Sequence, residues 1–210
     1  MKAKFGIFFM LLGSVLVFAA LALLLYNQRE QDRAAQASAE VMPQLVQAIQ
    51  ELQEEPEPTQ PPEEPPAPTL PEDREMTVAK INGYNYIGFV GIPALELELP
   101  VMADWSYPKL QIAPCRFLGT TYGDDLVVMA HNYSTHFGRL STLRTGDTVT
   151  FTDMEAVTIT YEVVALDVLD PDAVEELTAG EYDLTLLTCT YGGKSRVTVR
   201  CDRVEESSDF

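Results

Sequence analysis

The feature that most constrains this chain is an uncharged apolar run from Phe5 to Tyr26, 22 residues broken only by Gly6, Gly13 and Ser14. At about 1.5 Å per residue, a helix of that length crosses a hydrocarbon core of about 30 Å. Lys2, Lys4 and the α-amino group precede the run, and Arg29 and Arg33 follow it, interleaved with Glu30 and Asp32. The basic flanks nearly balance, and the α-amino charge tips the orientation towards an inside N-terminus. A cleaved signal peptide is the competing reading. Its apolar region usually runs to about 7–15 residues, and the cleavage-like triplet Ala37-Ser38-Ala39 sits well past the run. The expected organisation is a membrane anchor over 1–28, a juxtamembrane helix and acidic Pro-rich linker over 29–75, and a folded domain over 76–210.

Within the middle section, Val41, Leu45, Ile49 and Leu52 fall on one face at helical spacing. Pro43 breaks an interior helical turn, so it is expected in a first turn. The segment reads as a short stalk helix, with self-association as the alternative use of the stripe. Glu54 to Asp73 holds eight Pro among acidic residues. Missing N–H groups and self-repelling Glu make a semi-rigid extended spacer, expected to hold the folded domain away from the membrane.

The formal net charge of −18 argues against nucleic acid, whose phosphates call for clustered Lys and Arg. It reads as solubility and self-repulsion, or as an acidic face for a cationic partner. Three cysteines, Cys115, Cys189 and Cys201, leave at least one thiol without an intrachain partner. A Cys115–Cys201 disulfide that frees Cys189 is one arrangement.

From Tyr86 onward the pattern turns to short β-like segments: 87–92, an apolar–acidic alternation over 95–101, the apolar run 126–130, then 148–152, 157–168, 184–188 and 197–199. Turn signals at Gly119, Gly123, Gly146 and Gly192 separate them, and short helices are expected at 107–112 and 173–177. Many short strands with few helices mean an all-β sandwich or barrel.

Three side chains carry chemistry. His131 follows the apolar strand 126–130, Cys189 ends the strand 184–188, and Arg196 opens the next strand seven residues later. Strand ends present side chains to a cleft from a rigid sheet. A thiolate is the working nucleophile, and a free thiol is mostly protonated at neutral pH. An imidazole titrates nearby and can return a proton to a leaving amine. A guanidinium stabilises the oxyanion of acyl transfer. The trio meets the needs of covalent acyl transfer.

Thr185-Leu-Leu-Thr-Cys189 resembles the sortase signature, in which a Thr-Leu-any-Thr-Cys strand end carries the nucleophile. Ile87 to Pro93 with Leu99-Pro-Val101 resembles the opening strands of that family. Leu126 to Asn132 resembles its His-bearing strand, and Arg196 before an apolar strand resembles its arginine. The resemblance spans about Tyr86 to Val204, in order throughout. It implies a closed eight-stranded β-barrel and a two-step reaction. Cys189 would open the Thr–Gly bond of an LPxTG-like sorting signal on a secreted protein. An amine of a cell-wall precursor or a pilin lysine would then resolve the thioacyl. The resemblance also implies that Thr188 lines the oxyanion site; the alternative is a packed strand residue. No cofactor is implied, and Ca²⁺ activation, known in part of the family, is assigned to no carboxylate.

Asp104-Trp105 resembles the lid motif of pilus-building members, but it lies after the second strand, so Trp105 reads as packing. His136, in a polar loop, reads as a surface residue. A catalytically inactive, membrane-tethered scaffold is the alternative function. An L,D-transpeptidase is disfavoured, because Thr188-Cys189 lacks the Ser-any-Gly-Cys signature of that class.

Overall fold

The computed structural model describes residues 2–54, 74–177 and 181–204. The Pro/Glu-rich spacer lies, over 55–73, outside the described residues. The first element is one long helix, α1 (Lys2–Glu54), which contains the whole apolar run and continues well beyond it. It is long and apolar enough to cross a membrane, and its apolar window is fully uncovered by the rest of the protein.

Nine strands follow among the described residues: β1 (Ala79–Ile81), β2 (Tyr84–Ile92), β3 (Leu97–Met102), β4 (Cys115–Leu118), β5 (Leu126–Met129), β6 (Thr148–Asp153), β7 (Thr158–Leu169), β8 (Leu184–Cys189) and β9 (Arg196–Arg203). Eight of them form a ring in the order β2-β3-β4-β5-β8-β9-β7-β6, closed by pairing of β2 with β6. Strand β1 is an extra ribbon hydrogen-bonded to the start of β2. The expected eight-stranded barrel is therefore present. Closure depends on Gly88, which has φ +142° and faces β6. A Cβ there would lie 2.0 Å from the Thr152 carbonyl oxygen, so only glycine fits this close approach.

Two short helices match expectation: α2 (Tyr107–Leu110), whose start is capped by the Ser106 side chain, and α3 (Val174–Leu177). Two strands escaped the sequence pattern. β1 has three residues and β4 four, too short for any alternation to stand out. The segment 93–95, read partly as strand, is a 3-10 turn begun by Pro93 and ended by left-handed Glu96.

The barrel interior is one apolar cluster, with Ile87, Phe137, Phe151, Tyr161, Leu186 and Val199 fully buried. A second cluster lies outside the barrel wall, beneath α1. There Val41, Leu45 and Ile49 pack with Ile81, Tyr86, Met102, Leu110, Cys115 and Met154. This corrects the stalk reading: the stripe covers the barrel and is not a free face. Leu52, the fourth residue of the stripe, stays 43% exposed. Pro43 is also corrected, since it lies inside α1 and not in a first turn. Pro removes one helical hydrogen bond at a cost of about 3 kcal/mol. It sits on the exposed side of α1, while the opposite side buries the stripe, and that burial offsets the loss. The barrel thus sits directly against the helix that carries the apolar run.

Candidate active site

The site is set by two parallel neighbours at the centre of the ring. β5 and β8 run side by side, with Met129 opposite Leu187. The pairing extends one step further, as the Ala130 N–H donates to the Leu187 carbonyl at 3.0 Å. The chain then leaves the sheet, and His131 starts the loop. On the other side of β8, β9 runs antiparallel, and Cys189 stands directly opposite Arg196. Residues directly opposed across an antiparallel pair share a face.

His131, Cys189 and Arg196 all line one cavity of about 220 Å³, together with Thr188. Its apolar walls come from Trp105, Leu110, Phe117, Val174 and Leu177. Each of the three predicted side chains is half-buried, neither locked in the core nor free in solvent. Arg196 Nη1 donates to the carbonyls of Gly193 (3.1 Å) and Ser195 (3.3 Å). The guanidinium is thus aimed by its own turn, and a planar fork of five donors has others to offer.

The rival arginines are committed elsewhere. Arg200 is buried, donating to the Glu176 carbonyl at 2.6 Å and to Thr185 Oγ1 at 3.1 Å. Arg203 pairs with Asp124 and donates to the Thr121 carbonyl at 2.8 Å.

The three thiols occupy different settings. Cys201 lies inside the barrel and Cys115 in the outer cluster under α1. Burial pushes each of them up to about 12, so both stay protonated and unreactive near neutral pH. The Cys115–Cys201 disulfide is absent, and all three thiols are free. The barrel wall separates the two buried ones.

Thr188 uses its hydroxyl internally. Oγ1 donates to the Ala130 carbonyl at 2.9 Å, which ties the end of β8 to the residue before His131. This fits the packed-strand alternative, and the bond fixes the spacing between the Cys189 and His131 strands.

Tyr133 stacks on the His131 ring, with centroids 4.4 Å apart and planes 9° from parallel. The same Tyr133 ring touches His136 at 5.6 Å. His136 is fully buried, which corrects its reading as a surface residue. Among the described residues neither ring nitrogen makes a hydrogen bond of good geometry. Burial pushes it down to about 4, with His131 adding to the effect and the Ala34 backbone opposing it. Its polar neighbours in sequence concealed this, because α1, about a hundred residues earlier, supplies the cover. Trp105 is likewise more than packing. It is 39% exposed, forms a wall of the Cys189 cavity, and is held edge-on by Tyr107 at 5.8 Å and against Phe117 at 5.9 Å. Among the described residues, no group of three His, Cys, Asp or Glu side chains is placed to hold a metal ion.

Comparison with known proteins gives one consistent result. Residues 90–204 match the family model described as Sortase domain. Sortase C1 from Streptococcus suis superimposes with a TM-score of 0.52 at 32% identity, over 59% of this chain and 75% of that one. Sortase C1 from Streptococcus agalactiae gives 0.53 at 29% identity, over 60% and 72%. Clostridium perfringens sortase C, solved with the C-terminal cell wall sorting motif, gives 0.51 at 26% identity, over 58% and 71%. No curated protein matches the chain.

Proposed function

The chain belongs to the sortase family, transpeptidases of sorting-signal proteins, and from that premise we propose that Cys189, His131 and Arg196 are its catalytic residues. The observation that carries the proposal is that these three side chains line one cavity, while the two other thiols are buried and held protonated.

In the proposed reaction, Cys189 Sγ, as thiolate, attacks the Thr carbonyl carbon of an LPxTG-like signal. The new C–S bond leaves an oxyanion, which the Arg196 guanidinium stabilises. The Thr–Gly C–N bond then breaks, and His131 delivers its proton to the departing Gly amine. An acceptor amine, from a cell-wall precursor or a pilin lysine, attacks the thioacyl carbon and loses its proton to His131. The C–S bond breaks and the Cys189 thiolate returns beside protonated His131, the pair the reaction began with. The reaction needs no cofactor, and turnover should be the same with and without a chelator; a drop on chelation would point to Ca²⁺ activation.

The proposed organisation has 1–28 as the anchor, 29–75 joining it to the barrel, and 76–210 as the catalytic domain on the outer face of the membrane. The test is mass spectrometry of the full chain after incubation with a pool of sorting-signal peptides. A peptide-acyl mass added at Cys189 and released by an amine is expected. Undiminished turnover by Cys189→Ala would overturn the assignment. No adduct with any peptide or amine would leave a membrane-tethered sortase-like scaffold.

A further inference from the structure

Helix α1 acts as a ruler between the apolar run and the barrel. If the run fills a hydrocarbon core of about 30 Å, the core ends at Tyr26. The headgroup layer then extends about 5–8 Å further, which at about 1.5 Å per residue reaches about Gln31. The end of this stretch touches the His131 loop. Gln31 Oε1 accepts from the Ser134 N–H at 3.2 Å and from Ser134 Oγ at 2.7 Å. The Gln31 carbonyl accepts from Thr135 Oγ1 at 3.4 Å. A cavity of about 330 Å³ has Tyr26, Asn27 and Glu30 on one side and His131, Tyr133 and Tyr191 on the other.

Strand β1 sits much further along the same ruler. β1 lines a cavity with Ala48, Glu51 and Leu52, and Ala48 is 22 residues beyond Tyr26, about 33 Å along a helix. The barrel therefore lies along α1 with its cleft end towards the apolar run. Helix is unbroken between the two levels, and Pro43 falls beyond the Gln31 contact.

The surface at that level suits an interface. Tyr191 is 96% exposed and leads the turn Tyr191-Gly-Gly-Lys194, which joins Cys189 to Arg196. Tyr and Lys are side chains that anchor at the headgroup level, one by an amphipathic ring and one by a snorkelling charge. We propose that the cleft end of the barrel, led by the Tyr191–Lys194 turn, rests in the lipid headgroup layer of the membrane that α1 crosses. Cys189 then works at the membrane surface, not at the end of a spacer. The proposal rests on α1 spanning the membrane, and the experiment tests that premise separately.

The full chain carrying Cys189→Ala is reconstituted in phosphatidylcholine–phosphatidylglycerol vesicles. Single spin labels are placed at Leu16→Cys, Tyr191→Cys and Lys80→Cys, the last on β1. Cys115 and Cys201 are buried and stay unlabelled. Depth is read from collision with oxygen against a water-soluble nickel chelate. The expected result is a deep label at 16, a headgroup-level label at 191, and an aqueous label at 80, with the oxygen-to-nickel ratio at 191 several times that at 80. A deep label at 16 with 191 as aqueous as 80 overturns the proposal and leaves the anchor standing. An aqueous label at 16 overturns both.

Discussion

One loop builds both the cleft and the seam beneath α1, and the two regions use it in opposite ways. His131 and His136 stand five residues apart, one facing each region, with the Tyr133 ring touching both. In the cleft, His131, Cys189 and Arg196 are left half-exposed in a cavity walled by apolar side chains. In the seam, Ala34, Val41 and Leu45 close over the surface, and His136 lies fully buried with no well-formed hydrogen bond among the described residues. The contrast separates availability from burial. A side chain that must gain and lose a proton needs access to substrate. A side chain that fills a seam is stable only while it stays neutral.

The difference is broken most sharply at Cys189. Cys189→Ala is expected to lower transpeptidation of a sorting-signal peptide by roughly 10³-fold or more, with the thermal midpoint shifted by no more than about 2 °C. Leu45→Ala should do the reverse. It empties a fully buried position in the seam and should cost about 2–5 kcal/mol in denaturant titrations, with kcat of the folded enzyme nearly unchanged.

His136 sharpens the comparison through pH. Its folded value, about 4, lies below the unfolded value of about 6.5. Between these values the unfolded chain binds more protons, so stability rises with pH. The contribution is complete above about pH 6.5 and is lost as pH falls towards 4, on the order of 3 kcal/mol in total. Denaturation midpoints taken across that window should show the slope, and His136→Phe should flatten it. The smallest expected effect is at Tyr133. Tyr133→Ala should cost about 2–10-fold in kcat/KM by freeing the His131 ring, while Tyr133→Phe keeps the stack and the rate.

Much of the cleft was legible because its signals are local. Thr185 to Cys189 is a contiguous strand end, and the apolar run 126–130 points to His131 directly after it. Strand β5 was readable as a continuous apolar run because it is buried on two sides, and β8, interrupted by Thr185 and Thr188, through its signature-like end. Short β1 and β4 were not, since three or four residues carry no period. Arg196 was separable from Arg200 and Arg203 only by position in the sequence. The structure separates them by partners, as Arg200 and Arg203 are held by carbonyls and carboxylates far along the chain.

By itself, then, the sequence determined a membrane-length apolar helix, an all-β domain, and the His131, Cys189 and Arg196 trio at strand ends. The first two follow from composition or period within a short window, and the trio from strand ends together with the resemblance of Thr185 to Cys189 to the sortase signature. Only the tertiary structure decided what the stripe on α1 covers, that His136 is buried, that Thr188 spends its hydroxyl on Ala130, and that Trp105 walls the cleft. Periodicity tells that a face must leave water, but not which surface will meet it. That partner surface is assembled from residues 81–154, brought under α1 only when the barrel closes.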